Sequence, residues 1–211
     1  MEFIDIFLHT EKHLGAFLQA YGTWIYVLLF MIIFMETGLV ITPFLPGDSL
    51  LFAVGALSAS VAGLNIWILL PLLIAAAIIG NMVNYSLGRW MGPKVFHQGN
   101  KWFKQEHLMK AHGFYEKHGG RAIVLTRFAP IIRTFVPFVA GIGAMDYRKF
   151  LFFNIVGGVA WVVLFVVGGY FMGNIPIVKK NFEIVIILII VVSLLPVFFE
   201  AWKGWRERKK T

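Results

Sequence analysis

Four ionisable residues stand inside otherwise apolar stretches of the chain: Glu36, Asp48, Arg127 and Arg133. An unpaired charge at mid-bilayer costs at least ~2.5–3.5 kcal/mol on insertion scales. Two acids and two bases sum to zero, so the four can coexist there by neutralising one another or by meeting water. Two guanidinium forks can grip a phosphate bidentately, which an ammonium cannot match. Half-helices that start after prolines add free N–H groups and a positive dipole end for the same anion. The pattern predicts an anion site in a polar cavity, with Arg127 and Arg133 binding the substrate phosphate. Glu36 and Asp48 are then the proton-coupling groups. An anion on the arginines deprives the acids of their partners, and protonation of Glu36 or Asp48 restores neutrality. Phosphate binding is thereby expected to draw on the proton gradient, with no cofactor. The structural alternative is a pair of buried salt bridges, which are weak evidence of stability. Asp48 has a second role open to it, as cap of the helix that begins SLLFAVGAL after the Pro46–Gly47 turn. Glu36 has no such role.

The rest of the chain explains how such residues could be held. Of 211 residues, 59% are hydrophobic and 14% are charged, against about 45–50% and about 25% in ordinary soluble domains. These values predict an all-α polytopic membrane protein, a single integral membrane domain over 1–211. With no cysteine, disulfides and thiolate chemistry are excluded. The net charge of +8 is explained by Lys and Arg in cytoplasmic loops rather than by nucleic acid. The N-terminus starts acidic and lacks a basic n-region, so it is not expected to be a cleavable signal. Residues 1–21 space Phe3, Ile4, Phe7, Leu8, Leu14, Phe17 and Leu18 as an amphipathic helix on the membrane, or as an ordinary packing helix.

Apolar stretches run roughly over 23–35, 37–62, 64–88, 122–145, 150–173 and 184–202. Two of them are interrupted: 37–62 by Pro43, Pro46 and Asp48, and 122–145 by Arg127, Pro130, Arg133 and Pro137. Backbone freed by proline cannot face lipid and must be buried in protein or line a watery cavity. Both stretches are therefore expected to be re-entrant hairpins, leaving about four transmembrane helices; two kinked full spans are the alternative. Charge counting disfavours one hairpin with one full span, while two full spans would keep the same parity. The basic loop 89–121 and the tail 203–211 should both be cytoplasmic. Tracing back from the tail places the DYRK turn and the loop on that side, as a hairpin over 122–145 requires, and puts the N-terminus there too. Lys179 and Lys180 in the outer loop are a mild exception. The hairpins then enter from opposite faces. Each is followed by a glycine-punctuated helix carrying an amide: Gly80, Asn84 and Gly88 in one, Asn154, Gly158 and Trp161 in the other. This predicts an inverted repeat of the kind found in secondary transporters. The glycines' main expected role is close helix packing. Pro43, Pro46, Gly47, Asn84, Tyr85, Pro130, Pro137 and Asn154 are the supporting positions of the site.

The runs FMETGLVITPFLPGDSLLFAVGAL, GNMVNYSLGRWMG, FYEKHGGRAIVLTRFAPIIRTFVPFVAGIGAMDYRKF and NIVGGVAWV closely resemble the bacterial DedA family, within the wider VTT, or SNARE-associated, superfamily. The resemblance covers nearly the whole chain. It implies two opposed re-entrant hairpins in a protein of the bacterial inner membrane. It further implies return of undecaprenyl phosphate, the carrier lipid of cell-envelope synthesis, across that membrane. The family is linked to membrane potential, cell division and resistance to alkaline stress and cationic peptides. Its essential acids match Glu36 and Asp48, and its essential arginines match Arg127 and Arg133. Where the family pattern has Gly-Asp, this chain has Gly80–Asn81, so position 81 can contribute hydrogen bonding but not a carried proton.

The expected activity is therefore a proton-coupled flippase of a polyprenyl phosphate. Its partners are that lipid and membrane phospholipids, with a homo-oligomer left open. Rival readings are a cation/proton antiporter, a phospholipid scramblase and a non-transporting scaffold. An enzyme is not expected. A lipid phosphatase needs an acid–base His near its arginines, and the six histidines (His9, His13, His97, His107, His112, His118) lie in the N-terminal helix or the basic loop. Neither His107/His112 nor His112/His118 shares a helix face well enough to hold a metal. Asp146 and Arg148 are expected to end a helix rather than gate the site.

Overall fold

The structure, a computed structural model, describes residues 22, 24–39, 47–60, 64–91, 119–128, 132–143, 145–176 and 178. Among them every regular element is helical: α1 (Trp24–Gly38), α2 (Gly47–Ser60), α3 (Ile66–Met91), α4 (Arg121–Leu125), a 3₁₀ turn (Thr126–Phe128), α5 (Ile132–Ile142) and α6 (Tyr147–Gly173). The amphipathic segment 1–21, the tail 203–211, the stretch 184–202, all six histidines, and Pro43, Pro46 and Pro130 lie outside the described residues.

Among the described residues, two helices are long and apolar enough to cross a membrane, the 26-residue α3 and the 27-residue α6. At 1.5 Å per residue each is roughly 40 Å long, more than the ~30 Å hydrocarbon layer. Helix α1 runs past the expected boundary near residue 35 and takes Glu36, Thr37 and Gly38 into its last turn. The Thr37 hydroxyl donates back to the Ile33 carbonyl at 2.8 Å, and the helix ends two residues after the acid. The proline signal that marked the break lies further on. Likewise α3 extends to Met91 and α4 starts at Arg121, so both ends of the expected 89–121 loop are helical.

The described residues divide into two compact units. One takes those within Tyr26–Leu45 and Leu70–Val163, the other those up to Ile25, within Pro46–Leu69 and from Leu164 onward. In the first unit, Tyr85 of α3, Ile123 of α4, Val136 and Val139 of α5, and Phe150 of α6 form a buried cluster. The Tyr85 hydroxyl donates to the Met145 carbonyl, and its ring stacks on Phe150 with centroids 4.3 Å apart. Large apolar side chains outside the core stay exposed, among them Leu28 and Met31 on α1 and Phe152 and Ile155 on α6. This is the surface a lipid-embedded helix presents.

The glycines set how closely helices cross. A side chain at Gly88 would collide with the Phe138 carbonyl of α5, and one at Gly141 with the Tyr85 carbonyl of α3. Within the other unit, one at Gly55 would collide with the Val166 carbonyl and one at Gly169 with the Phe52 carbonyl. The spacing is the same both times. Phe138 and Gly141 on a short helix face Tyr85 and Gly88 on a long one, as Phe52 and Gly55 face Val166 and Gly169. Backbone is the obstacle, so no rotamer change relieves the clash. Gly141→Val is expected to destabilise the protein by about 1–3 kcal/mol or more, read as an earlier thermal unfolding in detergent; a wild-type midpoint would mean that the helices can separate there at no cost.

Candidate functional site

The buried polar residues of the first unit gather where α1 ends and α5 begins. Glu36, fully buried in the last turn of α1, forms a salt bridge with Arg133 in the first turn of α5. The pair joins residues 97 positions apart. Arg127, on the 3₁₀ turn, is only 3% exposed. Its Nη2 donates to Asn154 Oδ1 at 2.6 Å and reaches the carbonyls of Ala77 and Asn154 at 3.4 Å. Among the described residues no carboxylate pairs with it. The side chain lies across Gly157 and Gly158 of α6, where an added Cβ would stand 3.1 Å from its Cδ and 3.4 Å from its Nη2. These two glycines therefore form the trough that lets a long cation lie flat against the helix.

Trp161 completes the arrangement. Its ring centroid is 5.9 Å from the Arg127 guanidinium carbon and 5.2 Å from that of Arg133, within the ~6 Å reach of cation–π attraction. Asn81 donates to Asn154 Oδ1 at 3.1 Å, and Asn154 donates to the Ile78 carbonyl at 3.0 Å. Asn154 Oδ1 thus serves two donors, one neutral and one charged.

Proline and amide cooperate at the start of α5. Pro137 has no N–H, which leaves the Arg133 carbonyl without its usual helical donor. One residue along, the Thr134 carbonyl accepts from Asn84 Nδ2 at 2.8 Å. The same amide donates to the Thr37 carbonyl at 3.2 Å, one of the last carbonyls of α1, which a helix cannot satisfy internally. Asn84 therefore ties the end of α1 to the start of α5 from the middle of α3.

Thr37, Asn81, Arg127, Arg133, Thr134 and Trp161 line a small cavity, about 10 Å³ measured at water centres. This is near the lower limit for one water molecule. Arg127 Nε and the Thr134 hydroxyl, both at its wall, are buried and have no hydrogen-bond partner among the described residues.

The structure thus brings Glu36, Arg127, Arg133, Asn84 and Asn154 together in one unit. Tyr85, beside Asn84 in sequence, points into the aromatic core. Asp48 belongs to the other unit, together with Gly47. It stands at the second position of α2, inside the first turn rather than ahead of it. There its charge complements the positive end of the helix. Sequence reasoning did not place Thr37 and Thr134 at the site, and it gave Trp161 only a packing context. The signal for Trp161 was its spacing from Asn154 and Gly158 along one face of α6.

The VTT domain matches residues 45–171 of the chain. Protein DedA of Escherichia coli K12 is 53% identical over 195 residues, covering 92% of this chain and 89% of that protein. The uncharacterized membrane protein ML0287 of Mycobacterium leprae is 45% identical over 182 residues, 86% of this chain and 81% of that protein. Inner membrane protein YqjA of Escherichia coli K12 is 38% identical over 158 residues, 74% of this chain and 71% of that protein. No solved structure matches the chain.

Proposed function

Because this chain belongs to the DedA family of VTT-domain membrane proteins, we propose that it carries a polyprenyl phosphate such as undecaprenyl phosphate across the bacterial inner membrane, with Arg127 and Arg133 on the phosphate. One observation carries the reading: Arg127 is a buried cation beside a polar cavity with no carboxylate partner among the described residues. Burying an ion costs several kcal/mol. Here the return on that cost is a ready counter-charge for an anionic headgroup, in a form that can grip phosphate through a planar fork.

The cavity admits about one water, so a phosphate enters only when the site widens. The bond most directly in the way is the Glu36–Arg133 salt bridge, which clamps the end of α1 to the start of α5. On this reading the anion replaces Glu36 on Arg133, and a proton taken up by Glu36 neutralises the displaced carboxylate. Asp48 is the second proton-coupling group. The repeated Phe/Gly crossing supports an internal repeat, and the proline positions and the basic loop and tail support re-entrant hairpins at 37–62 and 122–145 in inverted orientation with both termini cytoplasmic. The commitment of Glu36 to Arg133 weighs against a cation/proton antiporter, whose acids must hold the cation.

The test is binding of undecaprenyl phosphate by native mass spectrometry, comparing wild type with the Arg127→Ala/Arg133→Ala double variant and with Glu36→Gln. Binding is expected to vanish in the double variant and to survive in Glu36→Gln, which keeps both guanidinium groups. Equal binding by all three would remove the phosphate from this site and leave the charges a structural role.

A further inference from the structure

We propose that Thr134 is a direct ligand of the phosphate, its hydroxyl donating to an oxygen of the anion that Arg127 neutralises; the assignment rests on the proposed phosphate site. Thr134 is 1% exposed, and its Oγ1 is buried with no hydrogen-bond partner among the described residues. Buried hydroxyls are normally satisfied, and one left alone costs stability. Helical Ser and Thr commonly avoid that cost by donating to the carbonyl of the preceding turn. Thr37 does so toward Ile33 at 2.8 Å and Thr126 toward Ala122 at 2.7 Å. Thr134 stands in the first turn of α5, and it contributes to the wall of the cavity that Arg127 also lines.

Three features of the surroundings select an anion over a neutral guest. Arg127 supplies a positive charge with an unused, buried Nε. The first turn of the 11-residue α5 carries the positive end of the helix dipole. The Thr134 carbonyl, an acceptor that could repel an anion, is occupied by Asn84. A threonine hydroxyl here adds one donor without adding charge. Neither it nor Arg127 has to give up a carboxylate before meeting the phosphate. Arg127 and Thr134 thus make the first half of the site, and Arg133 joins when Glu36 releases it.

The experiment compares wild type, Thr134→Val, Thr134→Ser and Arg127→Ala in detergent micelles. Each is titrated with undecaprenyl phosphate, with inorganic phosphate and with undecaprenol, and its thermal unfolding is followed. Valine keeps the shape and deletes the hydroxyl, so Thr134→Val is expected to unfold no earlier than wild type. It should bind undecaprenyl phosphate about 10- to 100-fold more weakly, the scale of a hydrogen bond to a charged group, with undecaprenol binding unchanged. Thr134→Ser should recover most of the affinity. A parallel loss with inorganic phosphate supports the same contact for the free anion; binding confined to the lipid supports a headgroup held together with its chain. Wild-type affinity in Thr134→Val with weakened Arg127→Ala overturns the hydroxyl contact alone. Wild-type affinity in both overturns the phosphate site itself. Earlier unfolding of Thr134→Val without loss of affinity assigns the hydroxyl to the fold and overturns the proposal.

Discussion

Arg127→Leu is expected to unfold no earlier than wild type in detergent, yet to lose polyprenyl phosphate binding and transport by about 100-fold or more, the scale at which deleted charge-assisted contacts act. Removing a buried charge usually harms a fold because a partner is left exposed to its own desolvation cost. The partners of Arg127 do not suffer this. Asn154 Oδ1 keeps the donation from Asn81. The carbonyls of Ala77 and Asn154 are met only at 3.4 Å and sit in helix interiors. The Trp161 ring is 5.9 Å away and keeps Arg133 closer, at 5.2 Å. What leucine removes is the cation and its desolvation cost. Thermal unfolding and lipid titration of the same preparation check both halves. Arg127→Lys sharpens the result: it keeps the charge but loses the planar fork, so it should bind nearly as poorly as leucine. A variant that unfolds early but binds normally would make Arg127 a structural residue.

The buried charges were legible in sequence because an ionisable residue inside an apolar run is conspicuous whatever the fold. Glu36, Arg127 and Arg133 stood out for that reason, and the structure gathers all three. Who pairs with whom was not legible. The four charges summed to neutrality along the chain, but Arg133 takes Glu36 while Arg127 is held by an amide. Periodicity is silent on contacts between residues 97 positions apart. Asn84 and Tyr85 read as one motif in sequence and do two different jobs. Neighbours on a helix point about 100° apart, so the amide reaches the ends of α1 and α5 while the ring enters the core. Thr134 and Thr37 carry no signal at all in one sequence. Threonine is common in apolar helices, and only the missing partner of the Thr134 hydroxyl marks it out. The end of α1 was misplaced because proline marks where a helix must already have stopped. The helical turn instead continues through Glu36, with the Leu39 N–H donating to the Met35 carbonyl at 3.0 Å.

Breaking the Glu36–Arg133 pair from either side is expected to cost about 3–5 kcal/mol, and replacing both residues much less than the sum. Glu36 is fully buried and Arg133 is 7% exposed. Glu36→Leu removes the carboxylate to which that arginine is bonded, and Arg133→Leu leaves the carboxylate in place of a pair. In the double variant, two apolar side chains of adequate volume meet across the same gap between α1 and α5. Buried pairs replaced in this way often lose nothing and can gain stability. Unfolding in mixed micelles, arranged as a double-mutant cycle, gives the coupling directly; additive single effects would show that the two residues do not act as a pair. Transport should be absent in all three variants, including the one whose stability returns. That combination separates the two reasons for keeping a salt bridge in an apolar environment. If the fold does without the bridge and the activity does not, the bridge is there to open: it holds α1 against α5 until an anion competes for Arg133 and a proton settles on Glu36.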